Sequence, residues 1–98
     1  MPTYLGIDYG TKRIGLALAD ELGIALPLGT IPGVDFPGWI EEMKRVVNER
    51  GVDELVIGYP IHMDGAVGKR AKEVDTFISE LTERFSLPVH RVDERLTS

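Results

Sequence analysis

Asp8 ends a short, mostly apolar run that begins at Tyr4, and it stands directly before Tyr9-Gly10-Thr11-Lys12-Arg13. A carboxylate at the C-terminal end of a strand, followed by a glycine turn, is held rigidly at a sheet end with open space in front of it. That is where α/β sheets place their sites. Aspartate before glycine has a second common use, which is to accept hydrogen bonds from turn amides. Another acidic pair, Asp93-Glu94, closes the last run of the chain, Pro88 to Val92. If that run is a strand parallel to the first, the two acidic positions share one end of a sheet. Carboxylates about 4 Å apart repel by about 4 kcal/mol at an effective dielectric near 20, so such a cluster needs a cation or a proton. The chain has no cysteine and only two histidines, so metal chemistry must rest on carboxylates. Oxygen ligands that leave room for water and phosphate suit Mg²⁺ or Mn²⁺. The competing use of Asp93 and Glu94 is ion pairing with Arg91 and Arg95.

Basic residues are distributed to suit a phosphate-bearing partner. Lys12 and Arg13 follow Asp8, Lys69, Arg70 and Lys72 open a helical pattern, and Arg91 and Arg95 flank the acidic pair. If they converge, they hold phosphates around a metal site; lysines along one helix are otherwise its solvated face. His62 and Asp64, after Tyr59-Pro60, fall near the same sheet end and within reach of a substrate, whereas His90 lies inside a strand and reads as structural. Sixteen acids against eleven bases give a net charge of −5, which disfavours diffuse binding to polyanions but says nothing about where the charges sit.

The elements that must position these residues follow from periodicity. Tyr4 to Tyr9 and Arg13 to Ala19 read as two strands of a hairpin, the second alternating Ile14, Leu16 and Leu18 with Gly15, Ala17 and Ala19. A turn at Asp20 to Gly23 opens a third strand, Ile24 to Ile31, placed at a sheet edge because Pro27 cannot donate to a ladder. Phe36, Ile40, Met43 and Val47 mark one face of a helix from about Pro37 to Arg50, stopped by Gly51. Leu55 to Tyr59 is a buried strand closed by Pro60, and Ile61 to Gly68 reads as an exposed loop. Val67, Ala71, Val74, Ile78, Leu81 and Phe85 then hold helical spacing. The order β-β-β-α-β-α-β predicts a three-layer α/β protein with a mixed five-stranded sheet, in which an antiparallel meander leads into parallel strands through right-handed crossovers. With 43% hydrophobic and 28% charged residues, the chain has the composition of one small globular domain. No signal-type leader and no long apolar window is present, which predicts a cytoplasmic protein without a membrane span.

Three blocks together resemble the YqgF family of Holliday-junction-resolvase-like proteins, described also as nucleases of pre-16S ribosomal RNA, within the ribonuclease H-like superfamily. They are Gly6-Ile7-Asp8-Tyr9-Gly10-Thr11-Lys12-Arg13-Ile14-Gly15, Val56-Ile57-Gly58-Tyr59-Pro60-Ile61-His62-Met63-Asp64-Gly65, and Val92-Asp93-Glu94-Arg95-Leu96-Thr97-Ser98. The resemblance implies a ribonuclease H-like sheet and divalent-metal-dependent phosphodiester hydrolysis. It assigns Asp8, Asp93 and Glu94 to catalysis and Asp8 and Glu94 to the metal. Lys12, Arg13, Arg95 and His62 are the implied substrate contacts. The implied partner is nucleic acid, either pre-rRNA or branched DNA, and a symmetric junction would suit a homodimer. Members of the family continue past the third block by another helix that supplies a further aspartate. Residues 1–98 are accordingly expected to form a single domain truncated at its C-terminus, with weak or absent nuclease activity on its own. Two other readings stay open: a non-catalytic nucleic-acid-binding domain, and an actin-like ATPase lobe using Gly10-Thr11-Lys12 as a phosphate loop, against which the short chain argues.

Overall fold

The computed structural model describes residues 2–20, 25–59 and 65–93, with the backbone alone at 65–67 and 93. Its elements run β1 (Tyr4–Asp8), β2 (Arg13–Ala19), β3 (Ala25–Pro32), α1 (Trp39–Arg50), β4 (Glu54–Tyr59), α2 (Gly65–Arg84) and β5 (Val89–Asp93). They form one five-stranded sheet in the order β3-β2-β1-β4-β5. The first three strands pair antiparallel, and β1-β4 and β4-β5 pair parallel. This is the mixed α/β sheet that the hydrophobic periodicity predicts, with β1 at its centre and β3 at an edge.

The three-layer expectation is not met among the described residues. Leu5, Ile7, Ile14, Leu16, Leu55 and Ile57 are buried on one sheet face, where they share a single core with Trp39, Met43 and Val46 of α1 and Val74, Phe77, Ile78 and Leu81 of α2. The Trp39 and Phe77 rings lie 5.1 Å apart, so the two helices meet over that same face. Handedness is the reason. Both crossovers, β3 to β4 and β4 to β5, advance in the same direction across the sheet, and right-handed connections that advance the same way fall on the same side. The opposite face is lined by small residues, Gly6, Gly15, Ala17, Val56 and Gly58, that alternate with the core positions.

Local differences have equally local causes. Helix α1 begins at Trp39, which is 4% exposed, and leaves Phe36, 50% exposed, in the preceding turn. The periodicity had enrolled Phe36 because it sits four residues before Ile40. Helix α1 stops where Gly51 takes a left-handed conformation (φ 61°) and donates its N–H to the Val47 carbonyl, as expected of a glycine cap. Helix α2 starts at Gly65, so it takes in the last four residues of the loop assigned to Ile61–Gly68. In β3, Pro27 stands across from Ala17 beside an irregularity in the pairing between Leu16 and Ala17, consistent with its edge position.

Candidate active site

Asp8 is the last residue of the central strand, and its side chain is exposed. No hydrogen bond or ion pair joins its carboxylate to another described residue. The turn-capping use of this aspartate is therefore not seen. Across the ladder its partner is Gly15, where an added Cβ would stand 3.4 Å from the Asp8 Cβ and 3.9 Å from its Oδ2. Glycine there leaves the carboxylate room on its neighbour's side.

The backbone just after Asp8 is fixed without help from that carboxylate. Residues 33–35 run alongside the β1–β2 turn and donate to it three times: Gly33 N–H to the Lys12 carbonyl at 2.9 Å, Val34 N–H to Gly10 at 3.2 Å and Asp35 N–H to Thr11 at 2.9 Å. The approach is so close that a Cβ on Gly33 would overlap the Thr11 and Lys12 backbone, and one on Gly10 would overlap the Arg13 carbonyl. Only glycine fits at either place. From the other side, Arg70 of α2 donates from Nη2 to the Tyr9 carbonyl at 2.7 Å and lies over the Tyr9 ring at 5.4 Å. Burial raises the Tyr9 phenol above its ordinary value, the hydrogen-bonded Glu73 carboxylate raises it further, and Arg70 partly offsets them.

The other predicted residues sort as follows. Lys12, in the turn after Asp8, and Arg13, the first residue of β2, are both exposed. Arg70 brings the start of α2 to the same sheet end, and Lys69 and Lys72 are exposed on that helix. The backbone of Asp93 pairs with Tyr59 in the β4–β5 ladder, which places it at the carboxyl end of the parallel strands, two strands from β1. Glu94, Arg95, His62 and Asp64 lie outside the described residues. Arg91 reaches Asp75 of α2 at 3.3 Å and lies 5.4 Å over the Tyr59 ring. His90 meets Glu54 of the adjacent strand at 2.6 Å, consistent with a structural role.

Two features carry no signal in residue spacing. Tyr59, at the end of β4, donates its hydroxyl to Asp75, whose two oxygens are each 3.0 Å away, and that hydrogen bond raises the phenol above its ordinary range. The grip of Arg70 on the Tyr9 carbonyl joins positions 61 residues apart. The only hint of it in the chain is that residues 70, 73 and 77 share one helical face.

The donor chemistry fits a hard divalent cation, because Asp8 offers an accessible, unpaired carboxylate on rigid backbone. Among the described residues no three acids or histidines cluster as a metal site. Among the described residues no helix is long and apolar enough to cross a membrane.

Comparisons with known proteins give the chain's relatives and its fold. A protein from Opitutus terrae named "Putative pre-16S rRNA nuclease" is 46% identical over 95 residues, covering 96% of this chain and 66% of the relative. Relatives of the same name from Trichormus variabilis and Synechococcus elongatus are 44% and 45% identical, over 96% and 100% of this chain and 63% and 68% of their own lengths. The chain thus spans about two thirds of these curated relatives. Among solved structures, Thermus thermophilus RuvC in complex with a Holliday junction superposes with a TM-score of 0.60 at 15% identity, covering 95% of this chain and 65% of that one. YeaZ from Pseudomonas aeruginosa superposes with a TM-score of 0.53 at 20% identity, over 95% and 43%. These two likenesses establish the fold, shared with RuvC. The RuvX family model, described as Holliday junction resolvase, matches residues 2–98, and the chain belongs to that family.

Proposed function

We propose that this chain is the ribonuclease H-like domain of a cytoplasmic, divalent-metal-dependent nuclease that trims the 5′ end of pre-16S rRNA. One observation carries the reading: the carboxylate at the end of the central strand is unpaired although everything around it is tied down. The names of relatives at 44–46% identity supply the substrate. Asp8 and Glu94 hold the cation, with Asp93 beside them. A bound Mg²⁺ or Mn²⁺ lowers the pKa of a coordinated water and stabilises the oxygen that leaves the phosphorus. Asp8 presents its oxygens from a backbone that does not need to reorganise. Lys12 and Arg13 neutralise the backbone phosphates of the incoming strand, joined by Arg95, while His62 contacts the substrate from the segment between β4 and α2. The −5 charge is compatible with a nucleic-acid partner because part of the acidic excess is neutralised by the cation.

The family description supports a second reading, cleavage of branched DNA, for which a symmetric junction would suit a homodimer. One experiment addresses both. Mn²⁺ titration followed by NMR should broaden resonances around Asp8, and Asp8→Asn should remove that response. In the full-length protein, Mg²⁺-dependent cleavage should be seen on a pre-16S rRNA leader and should fall by two orders of magnitude or more in Asp8→Asn. Preferential cleavage of a four-way DNA junction selects the second reading. Absence of any Mn²⁺ response at Asp8 refutes both.

A further inference from the structure

We propose that Arg70 is the positioning residue of the Asp8 carboxylate, an assignment that rests on reading Asp8 as a metal ligand. Three residues of α2, spaced by three and four along one helical face, converge on Tyr9, the residue that follows Asp8. Arg70 donates to its carbonyl and covers its ring, the Glu73 carboxylate stands close enough to raise the phenol's pKa, and Phe77 packs edge-on against it at 5.1 Å. The carbonyl bond matters most for geometry. Strand β1 ends at Asp8, so the Tyr9 carbonyl is the first beyond the strand. The next carbonyl, Gly10, is held from the opposite side by Val34. Asp8 is thus fixed by the sheet ladder before it and by two clamps from different elements after it, which sets the direction of its Cα–Cβ bond.

Arginine suits this place for a physical reason. Its planar guanidinium can stack on the phenol ring and donate in its own plane at the same time, whereas a lysine ammonium makes either contact as a point charge. At 2.7 Å and half-buried, the bond is charge-assisted and only partly screened by water. Ligand geometry at a catalytic metal must be held to about 0.5 Å, so loosening the peptide after Asp8 should act on the metal and on turnover more than on substrate binding.

The test compares Arg70→Gln and Arg70→Lys with the unmodified protein and with Glu83→Gln, an exposed position on the same helix. Readouts are Mn²⁺ affinity at Asp8, kcat and KM for Mg²⁺-dependent cleavage by the full-length protein, and thermal unfolding. Arg70→Gln should weaken Mn²⁺ binding about tenfold and lower kcat on the order of 10- to 100-fold with KM within about twofold. Arg70→Lys should recover part of both, and Glu83→Gln neither lose nor gain. A merely structural strut would lower the unfolding midpoint and leave Mn²⁺ affinity and kcat alone below it, and that result overturns the proposal. If the unmodified protein shows no Mn²⁺ response at Asp8, the nuclease reading fails by itself. The positioning claim is then decided without metal: altered amide shifts and faster exchange at Asp8 to Gly10 in Arg70→Gln uphold it, and unchanged ones refute it.

Discussion

Two aspartates mark opposite ends of the same pair of parallel strands, and they are used in opposite ways. Asp53, just before β4, accepts the Thr3 N–H on Oδ2 at 2.8 Å, while its own N–H donates to the Thr3 carbonyl at 2.8 Å. Asp8, at the far end of β1, binds nothing among the described residues. The difference lies in what else is available to the backbone. At the amino end the carboxylate itself takes the Thr3 N–H, so it is consumed in closing the strand entry. At the carboxyl end the turn after Asp8 is closed by residues 33–35 and by Arg70. With those groups already satisfied, the carboxylate keeps both oxygens for a ligand. The side chain is the same; the surrounding backbone decides whether it is structural or chemical.

The harshest way to break this contrast is to spoil the closure at the carboxyl end. Gly10→Ala pushes a methyl group into the Arg13 carbonyl, and backbone cannot move aside as a side-chain tip can. It should cost about 2–3 kcal/mol of stability in denaturant unfolding. If the variant unfolds at the wild-type midpoint, the turn is not the rigid support described.

That prediction also shows what the sequence could and could not reveal. The element order along the chain, the edge place of Pro27 and the Gly51 cap follow from local rules, periodicity, a missing donor and a left-handed conformation, which need only neighbouring residues. Asp8 was identifiable because its strand and its glycine turn are contiguous with it. The pairing of Gly10 with residues 33–35 was not, since it joins two turns separated by two strands. Nor was the convergence of 70, 73 and 77 on Tyr9, or the reach of Arg91 to Asp75 of α2. Contacts between elements depend on which face a helix lands on. The expectation of a third layer failed at that level, since periodicity tells which side of a helix is apolar but not which side of the sheet receives it.

A smaller effect sharpens the comparison itself. Asp53→Ala leaves the Thr3 N–H to solvent and should cost about 1 kcal/mol, the usual net worth of one such bond. Asp8→Ala removes no bond within the described chain and should change stability by less than about 0.5 kcal/mol, as exposed substitutions usually do. Paired urea titrations measure both. Equal losses would show that Asp8 has a structural partner after all.

The smallest effect concerns Tyr9 and its sign can be worked out. Burial, with the Glu73 charge adding to it, raises the folded-state pKa of this phenol above its ordinary value of 10.0. Between the unfolded and folded values the folded chain holds a proton that the unfolded chain has released. Stability from this group is therefore fully present below about pH 10 and is lost as pH rises through the folded-state value. Tyr9→Phe, which has no phenol to ionise, should flatten that alkaline limb of the stability profile while leaving the ring over Phe77 and under Arg70. The ultraviolet absorbance of phenolate gives the independent check, since ionisation of Tyr9 should lag in folded protein and return to the ordinary range in urea. An alkaline limb unchanged by Tyr9→Phe would mean that the hydroxyl contributes nothing to the grip of α2 on the strand end, leaving the ring and the Tyr9 carbonyl as its whole basis.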